Sequence, residues 1–281
     1  MLRLLLIVIL WSLASSSFAQ AKLAIIIDDL GYNLELGRRS LQLPGAITVA
    51  ILPFTPHAQS LAEYAHQHGK EIMLHAPMSN KRKLALGPGA LLDGMQKTEF
   101  LAILRRDLAN IPYVRGLNNH MGSQLTEQAE PMSWLMEELK AQRLYFVDSR
   151  TSAGTQALHM AERIQLPSRK RDIFLDDERN QQVIRAQLIK AMQLARKNGA
   201  TIAIGHPYPE TLAVLQDLPE LLLTYKVELV SASALMHNTF PPLAAAEKTA
   251  SCPAPPPWLW LSIKLPIDPF SLQAITHPFN L

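Results

Sequence analysis

The chain has 281 residues, of which 48% are hydrophobic and 18% charged. That length and apolar fraction exclude a disordered protein for the bulk of the chain and leave one large domain or two small ones. A single cysteine, Cys252, excludes an internal disulfide framework, and 27 Lys+Arg against 24 Asp+Glu, with no long basic run, leave no footprint for nucleic acid.

The first segment reads as a secretory signal peptide. Met1-Leu2-Arg3 is a short positive start, Leu4 to Trp11 is unbroken apolar sequence, and Ser12 to Ala19 turns small and polar. The apolar run falls short of the ~20 residues that span a bilayer. The expectation is therefore cleavage after Ala19 or Ala21, membrane contact only in transit, and export to the periplasm or cell envelope. Residues 1–21 are set aside on this basis.

After the signal, short apolar runs alternate with longer amphipathic ones. Strands are predicted at 22–27, 46–52, 71–74, 115–118, 144–147, 172–175, 200–204 and 227–231, eight in all. Helices are predicted at 59–68, 98–110, 131–142 and 181–198, the first and last ending at Gly69 and Gly199. Alternation on this scale indicates βαβ units and a parallel sheet. The fold class is α/β, a (β/α) barrel of seven to eight parallel strands that is complete, incomplete or distorted, over 22–237. No G-x-G-x-x-G follows any strand, so a dinucleotide fold has no support. Residues 238–281 hold nine of the 20 prolines and read as a disordered tail that contains Cys252.

The chemistry lies in the strand exits. Six runs are followed directly by acids or histidines: Asp28 and Asp29, His75, His120, Asp148 with Arg150, Asp176 with Asp177, and His206. In a barrel these exits share one face, where active sites are built. Adjacent carboxylates behind Ile25-Ile26-Ile27 are costly to bury unless a cation neutralises one. His75 and His120 with an aspartate supply the N,N,O donor set of an open zinc site. His57 also leaves a strand end, whereas His66, His68, His159, His237 and His277 fall on helices, loops or the tail. No H-E-x-x-H, Walker A, G-x-S-x-G or C-x-x-C sequence occurs. The reading that survives is metal-assisted hydrolysis.

With those residues identified, 22–237 resembles the polysaccharide deacetylase (NodB-homology) domain, and more closely its divergent branch, the YibQ-like proteins of bacterial envelopes. The resemblance rests on Ile27-Asp28-Asp29-Leu30-Gly31, on Gly69-x-Glu71-x-x-x-His75, and on the blocks around Asn118-Asn119-His120, Asp148-Ser149-Arg150 and Gly205-His206-Pro207. It implies Asp28 as base, His206 as general acid, and Asp29 and His75 as ligands of a divalent metal, in particular Zn2+. The second histidine of the family's H-x-x-x-H pair has no counterpart, since Ser79 stands four residues past His75; His120 is the natural replacement. The arginine motif that steadies the catalytic aspartate is also absent, and Arg150 is the candidate substitute. Asp148 and Asp176 are accessory candidates that orient a histidine N–H or pair with Arg150. The resemblance implies an N-acetylated envelope polysaccharide, such as a peptidoglycan-type glycan, as substrate. Two alternatives remain at this level: a barrel that binds a glycan or protein without turnover, and a metallohydrolase of another amide or ester. Oligomeric state is not legible.

Overall fold

A computed structural model describes residues 20–236. The expected signal peptide, apart from Gln20 and Ala21, and the proline-rich tail lie outside the described residues. Nine parallel strands and eight α-helices are present among them. The strands are β1 (Ala21–Leu30), β2 (Thr48–Ile51), β3 (Glu71–Met78), β4 (Val114–Met121), β5 (Tyr145–Asp148), β6 (Ser168–Lys170), β7 (Ile173–Phe174), β8 (Ala200–Gly205) and β9 (Val227–Leu229). The helices are α1 (Leu34–Leu41), α2 (Ala58–Gln67), α3 (Lys97–Asn110), α4 (Ala129–Ala141), α5 (Ala157–Arg163), α6 (Gln181–Asn198), α7 (Pro209–Leu215) and α8 (Leu218–Tyr225). Strand order is β6-β5-β4-β3-β2-β1-β8-β7, curled into a half-barrel, the incomplete form of the expected architecture. β6 and β7 do not pair with each other, so the barrel is closed there only by the chain through Arg171 and Asp172.

Two cores follow from the two-residue period of a strand. On β1, Leu23, Ile25 and Ile27 face the helices, while Ala24 and Ile26 face the lumen with Ala50, Met73, Tyr145, Val147, Ile202 and Ile204. That alternation aims the functional residues. Asp28 is the next lumen position after Ile26, His75 after Met73, and His206 after Ile204. The apolar lumen thus ends in a polar layer at one end of the barrel, formed by the strand exits.

The other end is closed by the chain after β8. β9 pairs with Ala21–Leu23 of β1, below the part of β1 that pairs with β2, so the predicted eighth strand does not extend the main sheet edge. Val230, Ala232, Leu235 and Met236 complete the lumen core. Glu71 Oε1 anchors this plug, accepting from Ser233 N at 3.0 Å, Tyr145 Oη at 2.8 Å and Thr48 Oγ1 at 3.1 Å. Among the described residues, no helix is long and apolar enough to cross a membrane.

Candidate metal centre

The centre starts from a break in strand alternation. Asp29 follows Asp28 and would point to the opposite face, but its φ of 60° and a register shift between Ile27 and Leu30 turn it back. Aspartate tolerates this left-handed region better than most residues, and the strain is of order 1 kcal/mol. Gly31 continues the turn at φ 131°; a Cβ there would lie 1.9 Å from Thr55 Oγ1, so only glycine fits. The Asp-Asp-Leu-Gly sequence is therefore a bulged exit that presents two carboxylates to one place.

Three ligand-type atoms converge there. His120 Nδ1 lies 2.8 Å from Asp29 Oδ1, His75 Nε2 lies 3.1 Å from the same oxygen, and the two nitrogens are 3.2 Å apart. Bonds of ~2.0–2.1 Å to a tetrahedral zinc would place such atoms about 3.4 Å apart, so small outward shifts accommodate the ion. Asp29 Oδ1 is buried and has no hydrogen-bond partner: the short contacts to the histidines lack hydrogen-bond angles. An orphaned buried carboxylate oxygen facing two imidazole nitrogens fits a divalent cation, and Asp29, His75 and His120 form the three-residue cluster among the described residues that could hold one.

Asn118 sets the orientation of this layer. His75 Nδ1 lies 2.8 Å from Asn118 Oδ1, and Asn118 Nδ2 donates to Asp28 Oδ1 at 2.8 Å. A carboxamide between the two assigns the proton to His75 Nδ1, which leaves the Nε2 lone pair facing the cluster. Asp28, 3% exposed, sits behind, its Oδ2 3.8 Å from His75 Nε2. Burial raises the Asp28 pKa above the ordinary carboxylate range, more than His75, His206 and Asn118 lower it. Burial also opposes charge on Asp29 and His75, but mutual attraction wins in both. The Asp29 carboxyl is held well below its usual range by His120 and His75, and Asp28 and Asp29 push His75 up to about 9.

His206 closes the opposite side, with Nε2 3.8 Å from Asp29 Oδ2. Asp176 holds it from behind: its Oδ1 is 2.9 Å from His206 Nδ1, and its Oδ2 accepts from His206 N at 2.6 Å and Thr211 Oγ1 at 2.7 Å. Burial disfavours the imidazolium, but Asp176 and then Asp29 raise the His206 pKa. The ring is walled by Phe174 and Tyr208, with centroids 5.3 and 5.4 Å away, and Arg171 and Arg179 lie over those two rings.

The structure brings Asp28, Asp29, His75, His120, His206 and Asp176 together, as the strand exits indicate. It pairs Asp148 with Arg150, one of the two accessory roles the sequence offers. The Asp148 carboxylate accepts from Arg150 N and Thr155 Oγ1 and touches no histidine, so it shapes the loop after β5. Arg150 does not take the role of the missing arginine; the hydrogen-bond partner of Asp28 is Asn118. His57 precedes α2 without capping it through its side chain.

Residues 25–236 match the sequence pattern of the divergent polysaccharide deacetylase family. The chain belongs to that family. Among divergent polysaccharide deacetylase relatives, the uncharacterized protein YibQ of Escherichia coli K12 is 41% identical over 241 residues, covering 86% of this chain and 75% of that protein. An uncharacterized protein of Haemophilus influenzae is 36% identical over 247 residues, covering 86% of each. An uncharacterized protein of Agrobacterium tumefaciens shares the fold, with a TM-score of 0.75 at 24% identity over 78% of this chain and 91% of that one.

Proposed function

We propose that this protein is an exported, divalent-metal-dependent deacetylase that removes N-acetyl groups from an envelope glycan of the peptidoglycan type. The observation that carries the reading is the convergence of Asp29 Oδ1, His75 Nε2 and His120 Nδ1 between a buried carboxylate and a carboxylate-backed histidine. Asp29, His75 and His120 would hold a divalent cation such as zinc, which would supply Lewis acidity for the attack on the amide.

The chain's own residues supply the proton transfers. Asp28 accepts a proton from the attacking water, and its burial-raised pKa makes it a stronger base than a solvated carboxylate. Asn118 keeps one Asp28 oxygen engaged and leaves the other facing the centre. The water oxygen bonds to the acyl carbon, the C–N bond breaks, and His206 Nε2 gives its proton to the departing amine. An amide does not expel an unprotonated amine readily, which is why the raised His206 pKa matters. Asp176 fixes the ring orientation and stabilises the imidazolium. Membership of the family supports a glycan substrate, and the pattern of the first twenty residues supports export.

The test is acetate release from N-acetylated chitooligosaccharides and peptidoglycan fragments by protein loaded with zinc. Turnover that disappears with chelator and returns with added divalent metal is expected. A protein carrying stoichiometric metal that releases acetate from neither substrate overturns the reading.

A further inference from the structure

Two of the three histidines at the centre are steadied through their rings. His75 Nδ1 meets Asn118 Oδ1 at 2.8 Å, and His206 Nδ1 meets Asp176 Oδ1 at 2.9 Å. A histidine that ligates a metal ordinarily has such a partner on its far nitrogen, which fixes the ring. His120 is the exception. Its ring contacts among the described residues are with Asp29 and His75, the other members of the cluster. Pro77, its register partner on β3, has no N–H to donate. On the other side the β4–β5 ladder ends at Asn118 and Val147. What holds His120 has to act through its backbone.

The residues on either side of it do so. Asn119, 1% exposed, takes over where the ladder stops: its Oδ1 accepts from Ser149 N of the β5 exit at 2.9 Å, and its Nδ2 donates to Met121 O at 2.8 Å. Thr151 Oγ1 donates to the same carbonyl at 2.6 Å. His120 is thus bracketed by a residue tied to β5 and a carbonyl caught by two donors. The grip has to be firm, because the chain leaves the strand conformation here. Met121 has φ 52° and Gly122 φ 89°, and a methionine in the left-handed region is strained and persists only where its surroundings over-determine it. The β5 exit is itself braced. Asp148 Oδ1 accepts from Arg150 N at 2.8 Å, Asp148 Oδ2 accepts from Thr155 Oγ1 at 3.0 Å, and Arg171 donates to Ser149 O at 2.7 Å and to Arg150 O at 3.1 Å.

We infer that Asn119 and Thr151 are positioning residues for His120, clamping the β4 exit to the β5 exit so that His120 Nδ1 meets Asp29 Oδ1 and His75 Nε2. The Asp148-Ser149-Arg150-Thr151 block thereby acquires a role that the proton transfers do not give it: it is the support against which the third ligand is set. The inference rests on the metal centre of the proposed function and is independent of which amide is hydrolysed.

The experiment is the zinc affinity of the full chain, by competition with a chromogenic chelator, together with the visible absorption of the cobalt(II)-loaded protein, which reports ligand geometry. Thr151 is exposed, so Thr151→Val removes the hydroxyl donor at little cost in folding, and Thr151→Ser keeps it. Thr151→Val is expected to weaken zinc binding about tenfold, as loss of a partner of a metal ligand does. It should also alter the cobalt spectrum while leaving the melting temperature of the metal-free protein unchanged. Thr151→Ser should match wild type in all three. Asn119→Asp keeps the acceptor for Ser149 N but sets a carboxylate oxygen against Met121 O, and should weaken zinc at least as much. Wild-type affinity and spectrum in Thr151→Val, or an equal loss in Thr151→Ser, overturns the clamp. Weakened zinc in Thr151→Val but not in Thr151→Ser, with no acetate released by the loaded wild type, supports the clamp and sinks only the deacetylase reading. A wild-type protein that binds no zinc overturns both.

Discussion

Replacing Asp28 with asparagine is expected to lower kcat for acetate release about a thousandfold, within the usual range for loss of a general base. Asparagine keeps the shape of the side chain and an oxygen for the Asn118 Nδ2 hydrogen bond, which is 2.8 Å long in the native protein. It removes the proton acceptor and leaves Asp29, His75 and His120 untouched, so bound metal and KM should stay near wild type. The pH profile gives a second readout. A carboxylate with a raised pKa works only when ionised, so the wild-type rate should fall as pH drops through that pKa, and the residual Asp28→Asn rate should lack that limb. If the variant keeps more than a tenth of the wild-type kcat with its metal in place, Asp28 is not the base.

The second large effect concerns stability. Asp107 on α3 is 0% exposed, and neither carboxylate oxygen has a hydrogen-bond partner. Gly89 of the β3–α3 loop covers it so closely that a Cβ there would lie 2.6 Å from Asp107 Oδ1. Burial, only partly offset by Arg106, pushes the carboxyl from 3.8 up to about 7. For a raised carboxylate the unfolded chain ionises first. As pH rises from about 4 to 7 the unfolded state gains free energy of ionisation that the folded state does not share, and stability falls. Three pH units correspond to about 4 kcal/mol, fully felt above pH 7. Asp107→Leu replaces the two oxygens by methyl groups of similar shape. It should therefore stabilise the protein by ~3–4 kcal/mol at pH 8 and much less at pH 4.5. Urea unfolding midpoints at the two pH values read this directly; a difference between variant and wild type that is the same at both would contradict the account.

Asp107 also shows where sequence reading stops. In Leu104-Arg105-Arg106-Asp107-Leu108 it stands among charged residues and looks solvated; only the covering loop buries it. The strand exits were legible for the opposite reason. A buried strand has to end its apolar run where the lumen opens, so Ile25-Ile26-Ile27 before Asp28 and Ala200–Ile204 before His206 mark both the strand and the site. β6 escaped because Ser168-Arg169-Lys170 is polar and pairs with β5 on one side only. α1 and α5, at eight and seven residues, are too short for periodicity to declare them, and α7 and α8 are similarly brief. Helix α4 starts at Ala129, so Pro131 is its third residue and not its first. Asn118 was visible inside its block, but no pattern says that a carboxamide will bridge His75 and Asp28. That takes the β3–β4 register, which sets His75 opposite Asn118. Arg150 leaves a strand as the catalytic candidates do, yet its φ of 50° belongs to a turn capped by Asp148. Position after a strand brings a residue to the face, and the turn that follows decides where the side chain goes.

The central claim is that Asp29, His75 and His120 hold one divalent cation, and elemental analysis of the purified protein against single variants tests it most directly. The expected result is one zinc or other divalent ion per chain in wild type and in Asp28→Asn, with less than a tenth of that in His75→Ala and in His120→Ala, since loss of one of three protein ligands removes most of the binding energy. No stoichiometric ion in the wild-type protein after incubation with zinc, or undiminished metal in both histidine variants, would contradict it.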